Sequence, residues 1–219
     1  MQRPEHMADE MRRACVELEM RHPEARHILL TGVAGREGTS TVACLLAEAL
    51  AEMLGSRVVI VDANLRTPAL HTLLSVPQED GLRDWEPDAT DKTVHQAPAL
   101  GQLFVMPCGS DNGRTLLTLQ HSGRLDKLAE TLGRAYDYVI WDVPPLTIHA
   151  DGRFLLRHVD GVLVVAEGDR TLLEPLTDLY GMLATANTPI LGAIMNRSNR
   201  YALTFRSQTP SRAPRRLSA

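Results

Sequence analysis

Apolar residues follow two different spacings along the chain. Short apolar runs bounded by glycine, proline or charged residues predict six buried strands, because both faces of a parallel sheet are covered. Between these runs, apolar residues recur at helical spacing. The predicted strands span residues 27–32, 57–62, 102–107, 137–142, 161–166 and 190–195. The predicted helices span residues 9–21, 39–54, 114–132 with an interruption near Gly123, 150–159 and 172–185.

Strands that alternate with helices predict an α/β fold of three layers, in which a mostly parallel sheet is covered by helices on both faces. The stretch 66–98 predicts an irregular connection. We divide the chain into an N-terminal helical segment at 1–25, a main domain at 26–200 and a tail at 201–219. The tail is rich in serine, proline and arginine, which predicts disorder.

Composition narrows the class of protein. The chain has 219 residues, enough for one core, and is 44% hydrophobic but only 4% aromatic. A net charge of -4 argues against a nucleic-acid partner. The three cysteines lack metal-ligand spacing, and no apolar run approaches the ~18 residues of a membrane span. We therefore expect a cytoplasmic protein whose cysteines are reduced and buried.

A glycine-rich loop joins the first predicted strand to the next helix. Residues 32–41 read Gly-Val-Ala-Gly-Arg-Glu-Gly-Thr-Ser-Thr. Between a strand and a helix, the main-chain amides from Gly35 to Thr41 can wrap around phosphate oxygens. Ser40 stands where such loops bind Mg²⁺, and Thr41 can donate a further hydrogen bond to phosphate. The alternative is a plain glycine turn in which Thr39 or Ser40 caps the helix.

Two aspartates stand at the carboxyl ends of predicted strands, where ligands of open parallel sheets bind. Asp62 ends the second strand, and a turn-forming aspartate is its alternative reading. Asp142 follows an apolar strand and precedes Pro144 and Pro145, which stop the strand abruptly. This pattern resembles a Walker B carboxylate. The loop and both aspartates therefore predict one phosphate and metal site at the same edge of the sheet.

These segments together resemble the bacterial tyrosine autokinases of capsule and exopolysaccharide synthesis, which are related to the MinD and ParA ATPases. The resemblance runs from about residue 10 to residue 196. Residues 35–41 stand against a usual Pro-Gly-Glu-Gly-Lys-Ser-Thr, and residues 62–68, Asp-Ala-Asn-Leu-Arg-Thr-Pro, against Asp-Ala-Asp-x-Arg-x-Pro. Further matches lie at residues 81–84, 136–145, 160–162 and 191–196.

The resemblance implies a site for ATP or ADP with Mg²⁺. Ser40, Asp62 and Asp142 would hold the metal directly or through water. The implied catalytic positions are Asp62, Asn64 and Asp142. The implied nucleotide-binding residues are Gly35, Arg36, Glu37, Gly38, Thr39, Ser40, Thr41, Arg66 and Asn196. Of these, Asn196 would contact the adenine and Arg66 would lie near the reacting groups.

The chain departs from the family pattern at positions that carry the chemistry. Thr39 replaces the lysine that bridges the β- and γ-phosphates, and a hydroxyl cannot supply that charge. Asn64 replaces a second aspartate, and an amide cannot accept a proton from a tyrosine hydroxyl. Family members carry a C-terminal tyrosine cluster, whereas this tail has Tyr201 alone. We therefore predict a protein that binds nucleotide but transfers phosphate poorly.

The resemblance also implies partners. A regulator of exopolysaccharide polymerisation and export would act with a separate membrane protein of the chain-length-determinant, or polysaccharide co-polymerase, type and would reach the inner membrane indirectly. Residues 10–13, Glu-Met-Arg-Arg, resemble the family's Glu-x-x-Arg segment for self-association, with a solvated helix face as the alternative. We thus expect a homo-oligomer.

Two other functions remain open at this point. The first is an active kinase in which Arg36 or a cation of a partner replaces the missing lysine. The second is a MinD-like positioning ATPase. The second is disfavoured, because Ala34 stands where that group carries its signature lysine and no amphipathic helix closes the chain.

Overall fold

One sheet forms the centre of the molecule. The computed structural model describes residues 5–87, 90–98, 100–168 and 170–197. Within them, the strands are β1 (His27–Gly32), β2 (Val58–Asp62), β3 (His95–Gln96), β4 (Leu103–Met106), β5 (Tyr138–Val143), β6 (Gly161–Glu167) and β7 (Ile190–Asn196). Their order across the sheet is β3-β4-β2-β5-β1-β6-β7, and all neighbours are parallel except β3 and β4. The predicted mostly parallel α/β fold is confirmed.

Helices connect the strands. In the described ranges they are α1 (Glu5–Arg21), α2 (Thr39–Leu54), α3 (Leu70–Leu74), α4 (Thr90–Thr93), α5 (Leu116–His121), α6 (Arg124–Ala135) and α7 (Leu173–Thr185). A 3-10 helix, Ala150–His158, follows β5. None of the described helices combines the length and the apolarity needed to cross a bilayer.

The two faces of the sheet carry separate hydrophobic layers, because successive side chains of a strand point to opposite faces. In β1, Ile28 and Leu30 pack into the layer that contains α1 and α2. Leu29 packs into the layer that contains α6, the 3-10 helix and α7. All three side chains have no exposed surface. This double coverage explains why the strands are apolar runs without alternation.

The N-terminal helix belongs to the first of these layers. Met11, Cys15 and Leu18 are buried, and they join residues of α2 in one cluster. Near the other end of α1, Glu19 accepts a hydrogen bond from the hydroxyl of Tyr138 at the start of β5. The helix predicted from residue 9 begins at residue 5 among the described residues. Its role in self-association stays a prediction.

Several local expectations changed in the structure. The stretch 66–98 was predicted to be irregular, but it contains α3, α4 and the antiparallel edge strand β3. The predicted helix at 150–159 is a 3-10 helix. The predicted interruption near Gly123 is confirmed, since α5 ends at His121 and α6 begins at Arg124. Cys15, Cys44 and Cys108 are buried and free, as expected. The tail at 201–219, with Tyr201, lies outside the described residues.

Candidate functional site

The loop between β1 and α2 has the backbone of an anion-binding nest. Gly35, Arg36 and Gly38 have positive φ angles of 97°, 69° and 81°. Helix α2 begins at Thr39, and Gly38 is its N-cap. Among the described residues, no side chain caps the helix, so the first-turn amides of residues 39–41 are available to a ligand. The alternative of a helix capped by Thr39 or Ser40 is therefore wrong.

Glu37 braces this loop from the inside. Its side chain is buried, and its Oε1 accepts hydrogen bonds from the amides of Ala34 at 2.5 Å and Gly35 at 2.9 Å. The carboxylate lies against Gly32, where an added Cβ would come within 2.5 Å of Glu37 Oε2. The absence of a side chain at residue 32 leaves the room that the Glu37 carboxylate occupies. Sequence reasoning assigned Glu37 to nucleotide binding and missed this inward contact.

The end of β7 holds the loop from the other side. Asn196 Nδ2 donates to the carbonyl of Glu37 at 2.7 Å, and Arg197 Nη1 donates to the carbonyl of Arg36 at 2.9 Å. Arg197 also lies 3.6 Å from Glu167 Oε1 at the end of β6. The predicted site residue Asn196 is thus in contact with the loop. Arg197 and Glu167 were not predicted, although both stand at carboxyl ends of strands.

Asp142 is a buried carboxylate that lacks normal partners. It is only 1% exposed, and neither oxygen makes a hydrogen bond of standard geometry within the described part of the chain. Burial, and secondarily the charge of Asp62, raises the pKa of Asp142 to about 8, although the side chain of Ser40 acts in the opposite direction. Such a group requires a proton or a cation beside it.

Asp62 lies next to Asp142 and is fully buried, but backbone amides donate hydrogen bonds to both of its carboxylate oxygens. Asp62 Oδ2 accepts from the amides of Ala69 at 2.9 Å and Leu70 at 3.0 Å, and Oδ1 accepts from the amide of Asn64 at 3.3 Å. Burial raises the pKa of Asp62 to about 6, and these amides limit the rise. Asp62 therefore orders the chain after β2, whether or not it also binds a metal.

The other predicted residues of this segment lie at the same edge of the sheet. The side chain of Asn64 exchanges hydrogen bonds with Thr67, whose backbone and hydroxyl both contact it. Arg66 is exposed and lies 3.8 Å from Asp151 of the 3-10 helix. Asn64 is therefore held in a local turn, and Arg66 links the connection after β2 to the connection after β5.

These groups fit a magnesium ion that is held largely by its nucleotide. No cluster of three or more metal-ligating side chains occurs in the described ranges. Mg²⁺ in nucleotide sites uses one or two protein oxygens and completes its shell with phosphates and water. The buried carboxylate of Asp142 and the hydroxyl of Ser40 supply such oxygens. The donor set thus suits Mg²⁺ with a bound phosphate and does not suit an all-protein metal site.

Comparisons with known proteins agree with this geometry. Residues 25–174 match the family model described as cellulose biosynthesis protein BcsQ. The tyrosine-protein kinase YwqD of Bacillus subtilis is 32% identical over 177 residues, which cover 79% of this chain and 73% of YwqD. The succinoglycan biosynthesis transport protein ExoP of Rhizobium meliloti is 27% identical over 179 residues, 80% of this chain but only 23% of ExoP.

Solved structures share the fold. The chimerical protein CapA2B2 superimposes with a TM-score of 0.78 at 21% identity, covering 88% of this chain and 85% of that one. The septum site-determining protein MinD of Pyrococcus horikoshii, solved with Mg-ADP, gives 0.64 at 21% identity, with 80% and 72% covered. From the glycine-rich loop, the buried strand-end aspartates and these matches, the chain belongs to the bacterial tyrosine autokinase family of the MinD/ParA-like P-loop superfamily.

Proposed function

We propose that this protein is a nucleotide-responsive regulator of exopolysaccharide synthesis that binds Mg-ATP or Mg-ADP and transfers phosphate poorly. The observation that carries the proposal is the contrast between two positions of one site. Asp142 is buried beside Ser40 without standard hydrogen-bond partners, as a metal ligand would be. Position 39, from which a lysine would reach the phosphates, carries threonine. The site thus keeps the groups that would bind the metal and the phosphates, but it lacks the lysine that would assist phosphate transfer.

Nucleotide binding is supported by the main chain of the loop. Backbone amides are the donors of an anion nest, and they do not depend on residue 39. Glu37 already takes the amides of Ala34 and Gly35, so the donors left for phosphate are the first-turn amides of residues 39–41, while Asn196 holds the loop from β7. A preorganised cradle loses less entropy on binding. We therefore expect phosphate binding to survive the absence of lysine, weakened by about 1.5–3 kcal/mol for one lost charge-assisted contact.

Transfer is expected to suffer more than binding. Negative charge grows on the transferring phosphoryl oxygens, so a missing cation costs more in the transition state than in the ground state. Bound Mg²⁺ would neutralise part of that charge. Asn64 adds a second defect, because its amide is engaged with Thr67 and cannot act as a base. The two substitutions remove both a cation and a carboxylate from the predicted catalytic groups.

The comparisons suggest how the protein would act in the cell. ExoP is a transport protein of succinoglycan biosynthesis in which the matching region is 23% of a longer chain. We infer that this protein acts together with a membrane protein of the chain-length-determinant type. The protein would then work in the cytoplasm, at the inner membrane through that partner, and as a homo-oligomer assembled through residues 10–13. The nucleotide bound to the protein would then change its interaction with the membrane partner.

Calorimetric titration with Mg-ATP and Mg-ADP, joined to a labelling assay with radioactive γ-phosphate, tests the proposal. We expect binding of both nucleotides without transfer of label to the protein. Rapid labelling of Tyr201 would overturn the proposal in favour of an active kinase that uses Arg36 or a cation from a partner. ATP turnover stimulated by lipid or DNA would overturn it in favour of a positioning ATPase.

A further inference from the structure

A cavity of about 560 Å³ opens between the 3-10 helix and α7. It is lined by Arg153, Leu156 and Arg157 of the 3-10 helix and by Met182, Thr185 and Ala186 at the end of α7. This volume falls within the range of ligand-binding pockets in proteins. The lining residues 156–157 shortly precede β6, and 185–186 shortly precede β7, whereas the glycine-rich loop follows the carboxyl end of β1. The cavity therefore lies towards the opposite edge of the parallel strands, away from the candidate nucleotide site.

One wall of the cavity carries two arginines. Arg153 and Arg157 are both exposed. Arg153 Nε donates to the carbonyl of Leu146 at 2.9 Å, and its two terminal nitrogens make no hydrogen bond to the described residues. Arg157 makes neither a hydrogen bond nor an ion pair to that part of the chain. No acidic side chain of the described residues lines the cavity. Two guanidinium groups are thus available to an anion from outside.

The opposite wall has no charge. Met182 packs against the hydrophobic layer that contains α6, and Leu156, next to the arginines, is only 8% exposed. The hydroxyl of Thr185 donates to the carbonyl of Gly181 at 2.9 Å, so it is used within α7. Ala186 adds a methyl group. The α7 wall therefore offers small and apolar surface, and a methionine side chain adapts to the shape of a partner.

The spacing of the arginines suits an extended peptide. A 3-10 helix rises about 2.0 Å per residue, so the backbones of Arg153 and Arg157 are about 8 Å apart along its axis. In an extended segment, alternate side chains lie about 6.6 Å apart on one side, and the side chain between them points to the other side. Two acidic residues separated by one apolar residue would therefore face the arginines while the apolar residue faces α7.

We propose that this cavity is a docking site for an acidic segment of a partner protein, in which one apolar residue lies between two carboxylates. Each carboxylate would accept charge-assisted hydrogen bonds from one guanidinium, whose planar group suits such pairing. A small anion such as phosphate would leave the apolar wall uncovered, which favours a peptide. The docking site goes beyond the proposed function and does not depend on it, because no residue of the candidate nucleotide site lines the cavity.

The test titrates the capped pentapeptide Ser-Glu-Leu-Glu-Ser into the isotope-labelled protein without nucleotide, and NMR follows the amide shifts. At low salt we expect a Kd of about 0.1–1 mM, with shift changes centred on residues 153–157 and 182–186. Arg157→Gln should weaken binding at least about 5-fold. Ala186→Phe, which fills the cavity without a change of charge, should weaken it as much. Arg134→Gln is the matched control, since Arg134 is an exposed arginine of α6 outside the cavity.

The other results overturn the proposal in distinguishable ways. Equal binding of Ser-Gln-Leu-Gln-Ser would exclude recognition of carboxylates. Equal binding of Ser-Glu-Ser-Glu-Ser, or displacement of the peptide by inorganic phosphate at the same concentration, would leave a simple anion site. Unchanged binding in Arg157→Gln and Ala186→Phe, or no shift changes at the lining residues, would exclude docking in the cavity. The amide spectra of the variants also show whether the fold is retained, and none of these results bears on nucleotide binding.

Discussion

Asp62 and Asp142 are directly paired across β2 and β5, yet the protein treats their carboxylates in opposite ways. Asp62 accepts three backbone amides, whereas Asp142 makes no hydrogen bond of standard geometry within the described residues. Both are buried, and each charge disfavours ionisation of the other. The pair therefore combines a carboxylate that orders the backbone with one that is suited to bind a cation. The charge of Asp62 makes the ionised form of Asp142 less stable in the core when no cation is present.

We predict that Asp142→Asn stabilises the ligand-free protein. Burial raises the pKa of Asp142 from 3.8 to about 8, so the stability contributed by its protonated form is present below about pH 4 and is lost as the pH rises from there through 8. The variant should gain about 1–3 kcal/mol at pH 9 and less at pH 7. It should also lose the increase in melting temperature that Mg-ATP gives the wild type. Urea unfolding and thermal shift measure these effects.

Asp62→Asn is the control for this prediction. An amide presents one acceptor where the carboxylate presents two, so it leaves at least one of the three backbone amides unsatisfied. We expect it to destabilise the protein by about 1–3 kcal/mol. Stabilisation by both substitutions, or by neither, would contradict the division of roles between the two aspartates.

A second prediction concerns the missing lysine. Thr39→Lys should tighten Mg-ATP binding about 10- to 100-fold, because it restores a charge-assisted contact to the phosphates. Phosphotransfer should rise substantially only in Thr39→Lys/Asn64→Asp. Calorimetry and γ-phosphate labelling separate the two effects. Thr39→Met, which has an unbranched side chain without charge, is the matched control and should not tighten binding. Full kinase activity in Thr39→Lys alone would count against the account with two defects.

The contact between Gly32 and Glu37 makes a third prediction. A Cβ at residue 32 would lie 2.5 Å from Glu37 Oε2 and 3.0 Å from Thr39 Oγ1, so Gly32→Ala should destabilise the fold by about 1–3 kcal/mol and weaken ADP binding. In a Glu37→Ala background the same substitution should cost much less, because the nearest atoms are gone. Chemical unfolding of the four proteins in this cycle measures the coupling. Additive costs would show that the two residues act independently.

Stability should fall in mild acid because of a half-buried histidine, His158, near α6. Burial lowers the pKa of His158, and Arg157 and His27 lower it further, against the opposing effect of Asp126. A histidine whose pKa is lowered by folding contributes stability that is present above about 6.5 and is lost as the pH falls through its folded pKa. His27 acts in the same direction, since burial outweighs the opposing charge of Asp160.

His158→Gln should therefore flatten the decline of unfolding free energy between about pH 7 and pH 5. In the tautomer with a proton on Nε2, His158 donates a hydrogen bond to Gln120 Oε1 at 3.3 Å. The side-chain amide of a glutamine at residue 158 can donate to the same oxygen. Urea unfolding at several pH values gives the slope. His121→Gln, at the exposed end of α5, controls for the loss of a histidine. If the unfolding free energy of His158→Gln depends on pH as that of the wild type does, His158 does not cause the loss of stability in acid.

The last prediction tests self-association through α1. Arg13 pairs with Glu10 within the helix at 2.9 Å, and the Arg13 side chain is 74% exposed. Such a pair adds only about 0.3–0.5 kcal/mol, so Glu10→Ala/Arg13→Ala should fold normally. We expect it to lower the oligomeric mass measured by light scattering. Arg12→Ala, which breaks the adjacent pair with Asp9, is the control. Equal mass for all three proteins would overturn self-association through Glu10 and Arg13.

Some elements could be predicted to the residue, and others could not. The bounds of β1 and α2 agree with the prediction. The apolar run of β1 ends at Gly32, and the helical repeat of α2 lies between Gly38 and Gly55. By contrast, β3 has only two residues and exists through its pairing with β4. Local sequence also indicated a helix at 150–159 but not the 3-10 geometry that Ala150–His158 adopts. Short elements depend on contacts with distant residues, which sequence spacing does not reveal.

Local sequence alone determined the six longer strands and the helices between most of them, the glycine-rich loop, and the carboxylates at strand ends, since each depends on neighbours in the chain. Tertiary structure alone decided what these groups touch. It turned Glu37 inward against Gly32, left Asp142 without the partners that Asp62 has, and brought Arg197 to the loop from the far end of the domain. The last of these contacts shows the reason, since the pairing of strands brings together residues that are 161 positions apart in the chain.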